Sequence, residues 1–257
     1  MLNELNGKRV LITGSTAGIG LATAKLFLQY GAQVGINGLS TVLSQTTLTE
    51  LDKLPGEYAI FPADLTQSAN CEKLVNDFVH RFGGMDVLIN NAGGLGGRSN
   101  LENIDDEFYD KVMDLNVRSL LMTTKFAIPH LREAAKTSGI TSTVLSTGSI
   151  AGRDGAGIGA GIYGSAKAWV HNIHRNWVKE FTKDNIRFNI VSPGSIDTAF
   201  HHGKSEEVLA TMRNSIPMGR FGTSEEVAPT YLFLATHAFS GYITGQIVDV
   251  NGGQMAP

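Results

Sequence analysis

Seven short runs of β-branched and other apolar residues recur along the chain: "RVLIT" (9–13), "AQVGIN" (32–37), "YAIFPA" (58–63), "MDVLIN" (85–90), "STVLST" (142–147), "IRFNIV" (186–191) and "QIVDV" (246–250). Each is too short for a stable helix and too apolar for a strand with one wet face, so they read as buried strands. The stretches between them carry apolar residues at helical spacing, over 18–30, 67–82, 105–134, 162–183 and 224–236. Strands alternating with helices predict an α/β fold, a doubly wound, seven-stranded parallel sheet with helices on both faces.

With 257 residues, 42% of them hydrophobic, the chain is long enough to bury a substantial core. No Pro- or Ser-rich linker, repeat or low-complexity tract divides it, so residues 1–257 read as one domain. Residues 194–222 break the alternation, with Gly194, Gly203, Gly219 and Gly222 in a polar context, and read as a flap beside a site. A formal charge of -3 gives no basic field for nucleic acid. The single cysteine, Cys71, forms no internal disulfide and fits a reducing compartment. Residues 1–9 do not read as a signal peptide, and no run approaches the ~20 apolar residues of a membrane span. The expected setting is cytoplasmic, with no membrane or nucleic-acid partner.

Two helix starts carry cap signals. Thr66 precedes the segment 67–82, and Thr223 with Glu226 forms a capping-box pattern. A third start lacks one: "VLITGSTAGIG" runs from the first strand straight into a helix, with Gly14, Gly18 and Gly20 at the turn. Unpaired N–H groups and the helix dipole there make an anion site. The spacing G-x-x-x-G-x-G differs from the common dinucleotide fingerprint, and a glycine-rich turn without a ligand is the alternative.

In "GIYGSAKAWV" (161–170), Tyr163 precedes Lys167 by one helical turn, which places the side chains on one face. A phenol with an ordinary pKa of about 10 is a poor base at neutral pH, and a cation within ~4–6 Å lowers that value. Such a pair exchanges a proton with an alcohol or carbonyl oxygen. The alternative is a surface tyrosine beside a solvated lysine.

"TGSTAGIG" (13–20), "NNAG" (90–93), Asn116 in "LNV", Ser149 in "GSIAG" and "YGSAK" (163–167) stand in an order that resembles the short-chain dehydrogenases/reductases. "SPGSIDT" (192–198) and "ITGQIVDVNGG" (243–253) extend the resemblance over nearly the whole chain. It implies a Rossmann-type fold and an NAD(P)-dependent oxidoreductase that moves a hydride between nicotinamide and a secondary alcohol or ketone. It implies that Tyr163 is the general acid/base, that Lys167 lowers its pKa and holds the nicotinamide ribose, that Ser149 orients the substrate oxygen, and that Asn116 supports a proton relay. Ser149 lies one residue farther from Tyr163 than is usual in the family. The glycines of "RDGAGIGAGI" are expected to absorb that residue, and Ser146 is the fallback. For Asn116 the competing role is a buried amide joining a helix to its neighbour.

The cofactor is expected against Gly14, Ser15, Thr16, Gly18, Ile19 and Gly20 of the turn, and against Leu39 at the end of the second strand. Asp64 and Leu65 are expected at the adenine, although Asp64 alone reads equally as a helix cap. Asn91, Ala92 and Gly93 line the cleft by resemblance, while Asn90 or Asn91 by itself reads equally as a strand tie. Pro193, Gly194, Ile196 and Thr198 face the carboxamide, and Tyr163 and Lys167 complete the set.

An acid at the end of the second strand holds the ribose of NAD, and an arginine there takes the 2′-phosphate of NADP. Asn37, Gly38, Leu39 and Ser40 supply neither, and Ala17 stands where many NADP-using members carry a base. A phosphate left without a cation costs more than a lost hydroxyl bond, so NAD is favoured, with NADP possible. Glycine-rich walls at 93–98 and 152–160, with Arg98, Arg153 and Asp154, suit a small polar sugar, polyol or hydroxy acid. Phe200, His201, His202, Met212 and Met218 add apolar contact, and His201–His202 has no third ligand for a metal. The runner-up is a 3-oxoacyl-[acyl-carrier-protein] reductase, and a catalytically silent NAD(H)-binding regulator is the reading of another class. By resemblance the helices 105–134 and 162–183 pair between subunits, giving a homotetramer or homodimer.

Overall fold

A computed structural model describes residues 2–40, 43–198 and 205–256. All seven runs form strands: β1 (Arg9–Ile12), β2 (Gln33–Gly38), β3 (Glu57–Pro62), β4 (Val87–Asn90), β5 (Ser142–Thr147), β6 (Ile186–Pro193) and β7 (Ile247–Val250). They make one sheet in the order β3-β2-β1-β4-β5-β6-β7, and every pairing is parallel. The chain winds outward from β1 to β3, then returns to place β4 against β1, with Ile12 beside Ile89. Adjacent strands connected in opposite directions leave a crevice beyond their carboxyl ends.

Side chains leave a strand on alternate faces, so the two faces have separate cores. Val10, Ile12, Val34, Ile36 and Ile89 pack with Phe27 and Leu28 of α1 (Gly18–Gln29) and with Tyr231 and Leu234 of α9 (Ser224–Ala235). Leu11, Leu88, Val144 and Ile190 pack on the other face. Their partners are Phe78 of α3 (Ser68–Phe82), Leu131 of α5 (Ser119–Ser138) and Trp177 of α7 (Gly161–Phe181). Fully burying each such side chain stabilises the fold by roughly 1.5–3 kcal/mol. Phe78 sits where Gly35 leaves the sheet bare, since a Cβ at Gly35 would stand 2.5 Å from its ring.

Several helices differ from the pattern expected. The stretch 105–134 is two helices, α4 (Asp106–Met113) and α5, joined by a π-helical segment at Asp114–Arg118. Asn116 lies in that segment, and its Nδ2 donates to the Val112 carbonyl at 2.9 Å. That is the oxygen which an α-helix would offer to the N–H of residue 116, so the side chain competes with the ladder. Thr66 does not cap α3, because its N–H and hydroxyl both donate to Asp64 and Gln67 holds the N-cap position. The Thr223–Glu226 capping box is formed. Two short helices were not expected, α2 (Gln45–Leu51) and α8 (Glu206–Asn214), and each starts on a serine that caps it, Ser44 and Ser205. The helix α8 lies within 194–222, the stretch that breaks the alternation, and Ile196 bridges to Gly222. Short helices α6 (Ala151–Asp154) and α10 (His237–Ser240) complete the set.

Candidate active site

The turn from β1 into α1 is held by bonds to its neighbours. Ser15 is buried, and its hydroxyl donates to Ile12 O at 2.7 Å and accepts from Asn37 N at 3.0 Å. Asn37 Oδ1 accepts the Gly14 N–H at 3.2 Å. Gly14 has φ +61 and lies against Ala92, where a Cβ would meet backbone at 2.8 Å. No side chain caps α1, whose N-cap is Ala17, so the N–H groups of its first turn remain for an anion. Ala17, Gly18 and Ile19 border a cleft of about 670 Å³ at the carboxyl ends of the strands.

Asn91 ties that end of the sheet together. Its Nδ2 donates to Thr13 O and Gly14 O at 3.1 and 2.9 Å, and its Oδ1 accepts from Thr147 Oγ1 at 3.3 Å. Asn90 reaches instead to Thr124, at 2.8 Å. Asn116 is buried, with Nδ2 donating to Gly94 O at 2.8 Å and Oδ1 accepting from Gly94 N at 3.0 Å. The amide joins the π-helical segment to the loop after β4.

Tyr163 and Lys167 project from the first turns of α7 into the cleft. The Lys167 ammonium is buried, lies 5.8 Å from the Tyr163 ring centroid and donates to Thr147 O at 2.9 Å. Ser149 borders the same cleft, and its side chain is the influence that lowers the Tyr163 pKa. Small residues permit this approach, since a Cβ at Gly152 would stand 2.8 Å from the Lys167 carbonyl carbon, and one at Gly164 would stand 2.8 Å from Gly155 O. Between Ser149 and Tyr163 the turn after α6 has Gly155, Ala156 and Gly159 at φ of 81, 64 and 75. Asp154 Oδ1 accepts the Ala156 N–H at 2.8 Å and holds that turn.

Burial pushes the Tyr163 phenol above its ordinary pKa, and the bond from Ser149 opposes this; the lysine is not the dominant influence. Lys167 itself is drawn down to about 8 by burial. The phenol is therefore protonated at neutral pH, the state of a proton donor rather than a base.

The cleft gathers Gly14, Gly18, Ile19, Asn91, Ala92, Gly93, Ser149, Tyr163, Lys167, Pro193, Gly194, Ile196 and Thr198. Others expected at the cofactor do not border it. Ser15, Thr16 and Gly20 lie behind the turn, where Thr16 packs on Gly38 and a Cβ at Gly20 would stand 2.4 Å from Gly14 O. Leu39 and Asp64 border a separate hollow with Phe61 and Pro62, and Leu65 is buried. Arg153 forms an ion pair with Asp249 and is not in the cleft wall, whereas Arg98 and Asp154 are. Met212 lines the cleft and Met218 does not, while Phe200, His201, His202 and Gly203 lie outside the described residues. Thr147 and Gln254 escaped the sequence reading; Gln254 Oε1 accepts the Ser195 N–H at 3.0 Å.

A family model described as enoyl-(acyl carrier protein) reductase matches residues 14–255. The chain belongs to the short-chain dehydrogenase/reductase family. It is thus an oxidoreductase of the NAD(P)-dependent kind acting on CH–OH and C=O groups. Among solved structures of the family, the NADH-dependent reductase A1-R' responsible for alginate metabolism is 62% identical, with a TM-score of 0.93, over 99% of this chain and 100% of that one. The RhlG/NADP active-site complex of Pseudomonas aeruginosa is 32% identical, with a TM-score of 0.89, over 98% of each chain. Among characterised relatives, the 3-oxoacyl-[acyl-carrier-protein] reductase FabG of Thermotoga maritima is 34% identical over 250 residues, 97% of this chain and 98% of that protein.

Proposed function

We propose that the chain is an NADH-dependent reductase of a small, polar aldehyde or ketone. The observation that carries this is that Ser149, Tyr163 and Lys167 border one cleft, with the Lys167 ammonium 5.8 Å from the Tyr163 ring centroid. A carbonyl oxygen held between the two hydroxyls accepts a hydrogen bond from each, and the phenol of Tyr163 delivers the proton as charge develops on that oxygen. Bound nicotinamide supplies the hydride.

The residues present fit a dinucleotide. The uncapped first turn of α1 at Gly18 and Ile19 takes the pyrophosphate, and Gly18 with φ +54 keeps that approach free of a Cβ. Asn91, Ala92 and Gly93 form the wall opposite, Lys167 holds the ribose, and Ile196 and Thr198 orient the carboxamide. Leu39, Asp64 and Leu65 serve the adenosine end. The preference for NAD rests on the uncharged end of β2. Asn37 is occupied with Gly14 and Phe61, and the lysine of the adjoining hollow, Lys73, is paired with Asp77 at 2.5 Å. The likeness to an NADH-dependent reductase at 62% identity supports the same preference. In this reading residues 194–198 and 205–222 belong to a flap over the nicotinamide, residues 1–257 act as one domain, and a cytoplasmic homotetramer is the working form.

Steady-state assays with NADH and NADPH against a panel of aldoses, ketoses, keto acids and sugar acids test the proposal. NADH is expected to give a kcat/KM at least about tenfold higher, since an unpaired buried charge costs 1.4 kcal/mol or more. Equal use of NADPH would overturn the cofactor assignment. The likeness to FabG favours an acyl thioester as the second reading, so acetoacetyl thioesters belong in the panel. Tight NADH binding with no turnover of any carbonyl would point to a regulator.

A further inference from the structure

We propose that Arg98 is a specificity-determining residue that anchors a carboxylate of the substrate, so that the enzyme selects sugar acids or keto acids over their neutral counterparts. The inference rests on the reductase reading above and names the substrate class for that site.

Two glycine-rich loops, 93–98 and 152–160, form the wall of the cleft around Arg98. They are fastened to each other. The Ser99 N–H donates to Gly159 O at 2.9 Å, and Arg98 Nη1 donates to Ile158 O at 2.5 Å. Gly159 has φ +75 and lies so close that a Cβ there would stand 3.2 Å from Arg98 Cβ. The guanidinium is thus held in place before any ligand arrives, which lowers the entropy cost of using it.

Of its donors only Nη1 is engaged, and Arg98 forms no ion pair among the described residues. The charged groups around it are otherwise committed or of the wrong sign. Lys167 is buried and bonded to Thr147 O, Asp154 accepts from Ala156, Asp197 is an acid, and Arg153 is paired with Asp249. Besides Asp154, the wall near Arg98 is glycine, alanine and Leu95 and offers little else to recognise a small polar molecule. A planar fork with free N–H groups matches a carboxylate in two-point geometry.

The test compares D-glucuronate and 2-keto-D-gluconate with their methyl esters, using wild type, Arg98→Gln, Arg98→Lys and Gly157→Asp. The last variant leaves the arginine in place. Gly157 has an ordinary φ, and a Cβ there would lie 3.5 Å from Nη1, so the new carboxylate neutralises the fork. Wild type is expected to show a KM for the acid well below that for its ester. Arg98→Gln and Gly157→Asp are expected to bring the two KM values together by raising the acid's roughly ten- to a hundredfold, with Arg98→Lys between. An acid-to-ester ratio near one in wild type, or one that neither variant changes, overturns the proposal and leaves Arg98 as a loop fastener. Melting temperatures show whether the loops stay folded. Calorimetric titration of the same acids into the NADH complex gives a readout without turnover. Should no carbonyl consume NADH, the reductase reading falls, and acid binding abolished by Gly157→Asp still decides for the anchor. Absent or unaltered binding decides against it.

Discussion

The imidazole of His171 lies beneath Ser149, with its Nε2 accepting the Ser149 backbone N–H at 3.4 Å. The ring fills the place that Gly148 leaves open, where a Cβ would stand 2.4 Å from Nε2. Burial, helped by the nearby Arg153 and Lys167 charges, draws His171 down to about 4. The unfolded chain binds this proton near the ordinary imidazole value, so stability falls as pH drops from about 6.5 toward 4 and levels below that. His174, also buried and lowered, adds to the same slope. Thermal melts from pH 7 to 4 are expected to show a shallower decline for His171→Gln than for wild type. Parallel curves would show that the ring does not carry this linkage.

Lys167 loses its proton as pH rises through about 8, which removes the positive charge beside Tyr163. Carbonyl reduction is expected to decline above that pH. Lys167→Arg, whose side chain stays charged, moves the decline upward. A pH profile identical in the two proteins would assign the limb to another group. Tyr163→Phe abolishes turnover while leaving NADH affinity, read by fluorescence titration, within a few fold.

Gly20→Ala brings a methyl group to 2.4 Å from Gly14 O and 2.5 Å from Asn91 Nδ2, two atoms that are bonded to each other. The expected cost is about 1–3 kcal/mol of stability, as for overpacking elsewhere. Because the same displacement moves the first turn of α1, KM for NADH rises as well. A variant with wild-type urea midpoint and KM would show that the turn yields without strain.

Asp86 accepts three bonds from Arg9, from its backbone N and from Nε and Nη2, at 2.9, 2.7 and 2.9 Å. Burial alone would raise its pKa, but the bonds and charge of Arg9 outweigh that and hold the carboxyl below its usual value. Its contribution is present above the ordinary carboxylate pKa and is lost as pH falls through the lowered one. Asp86→Asn is expected to cost about 1–3 kcal/mol, with the urea midpoint as the measure. A smaller loss at pH 3 than at pH 7 completes the check.

The strands were legible because burial on both faces leaves an unbroken apolar run, and all seven formed within a few residues of the limits expected. The break at Asn116 was not legible, since it comes from one amide competing for the Val112 carbonyl and leaves the apolar spacing intact. The helices α2 and α8 are short and polar, and their serine caps were the signal that went unread. At the site, residue types marked Tyr163, Lys167 and Ser149, but the fates of the two arginines were fixed by distant partners. Arg153 is taken by Asp249 on β7 and Arg98 by a carbonyl of the next loop, and neither pairing leaves a local trace. Asp64 differs, since its side chain bonds Thr66 only two residues on.

The fastening of Ser99 to Gly159 and of Arg98 to Ile158 makes the two loops a matched cassette. Grafted together from one relative to another, they bring their own mutual bonds. Grafted singly, they strand a donor and an acceptor at the rim. Lys167 and Ser149 are referenced to the end of β5 instead, so an exchange of both loops leaves that part of the cleft where it stands.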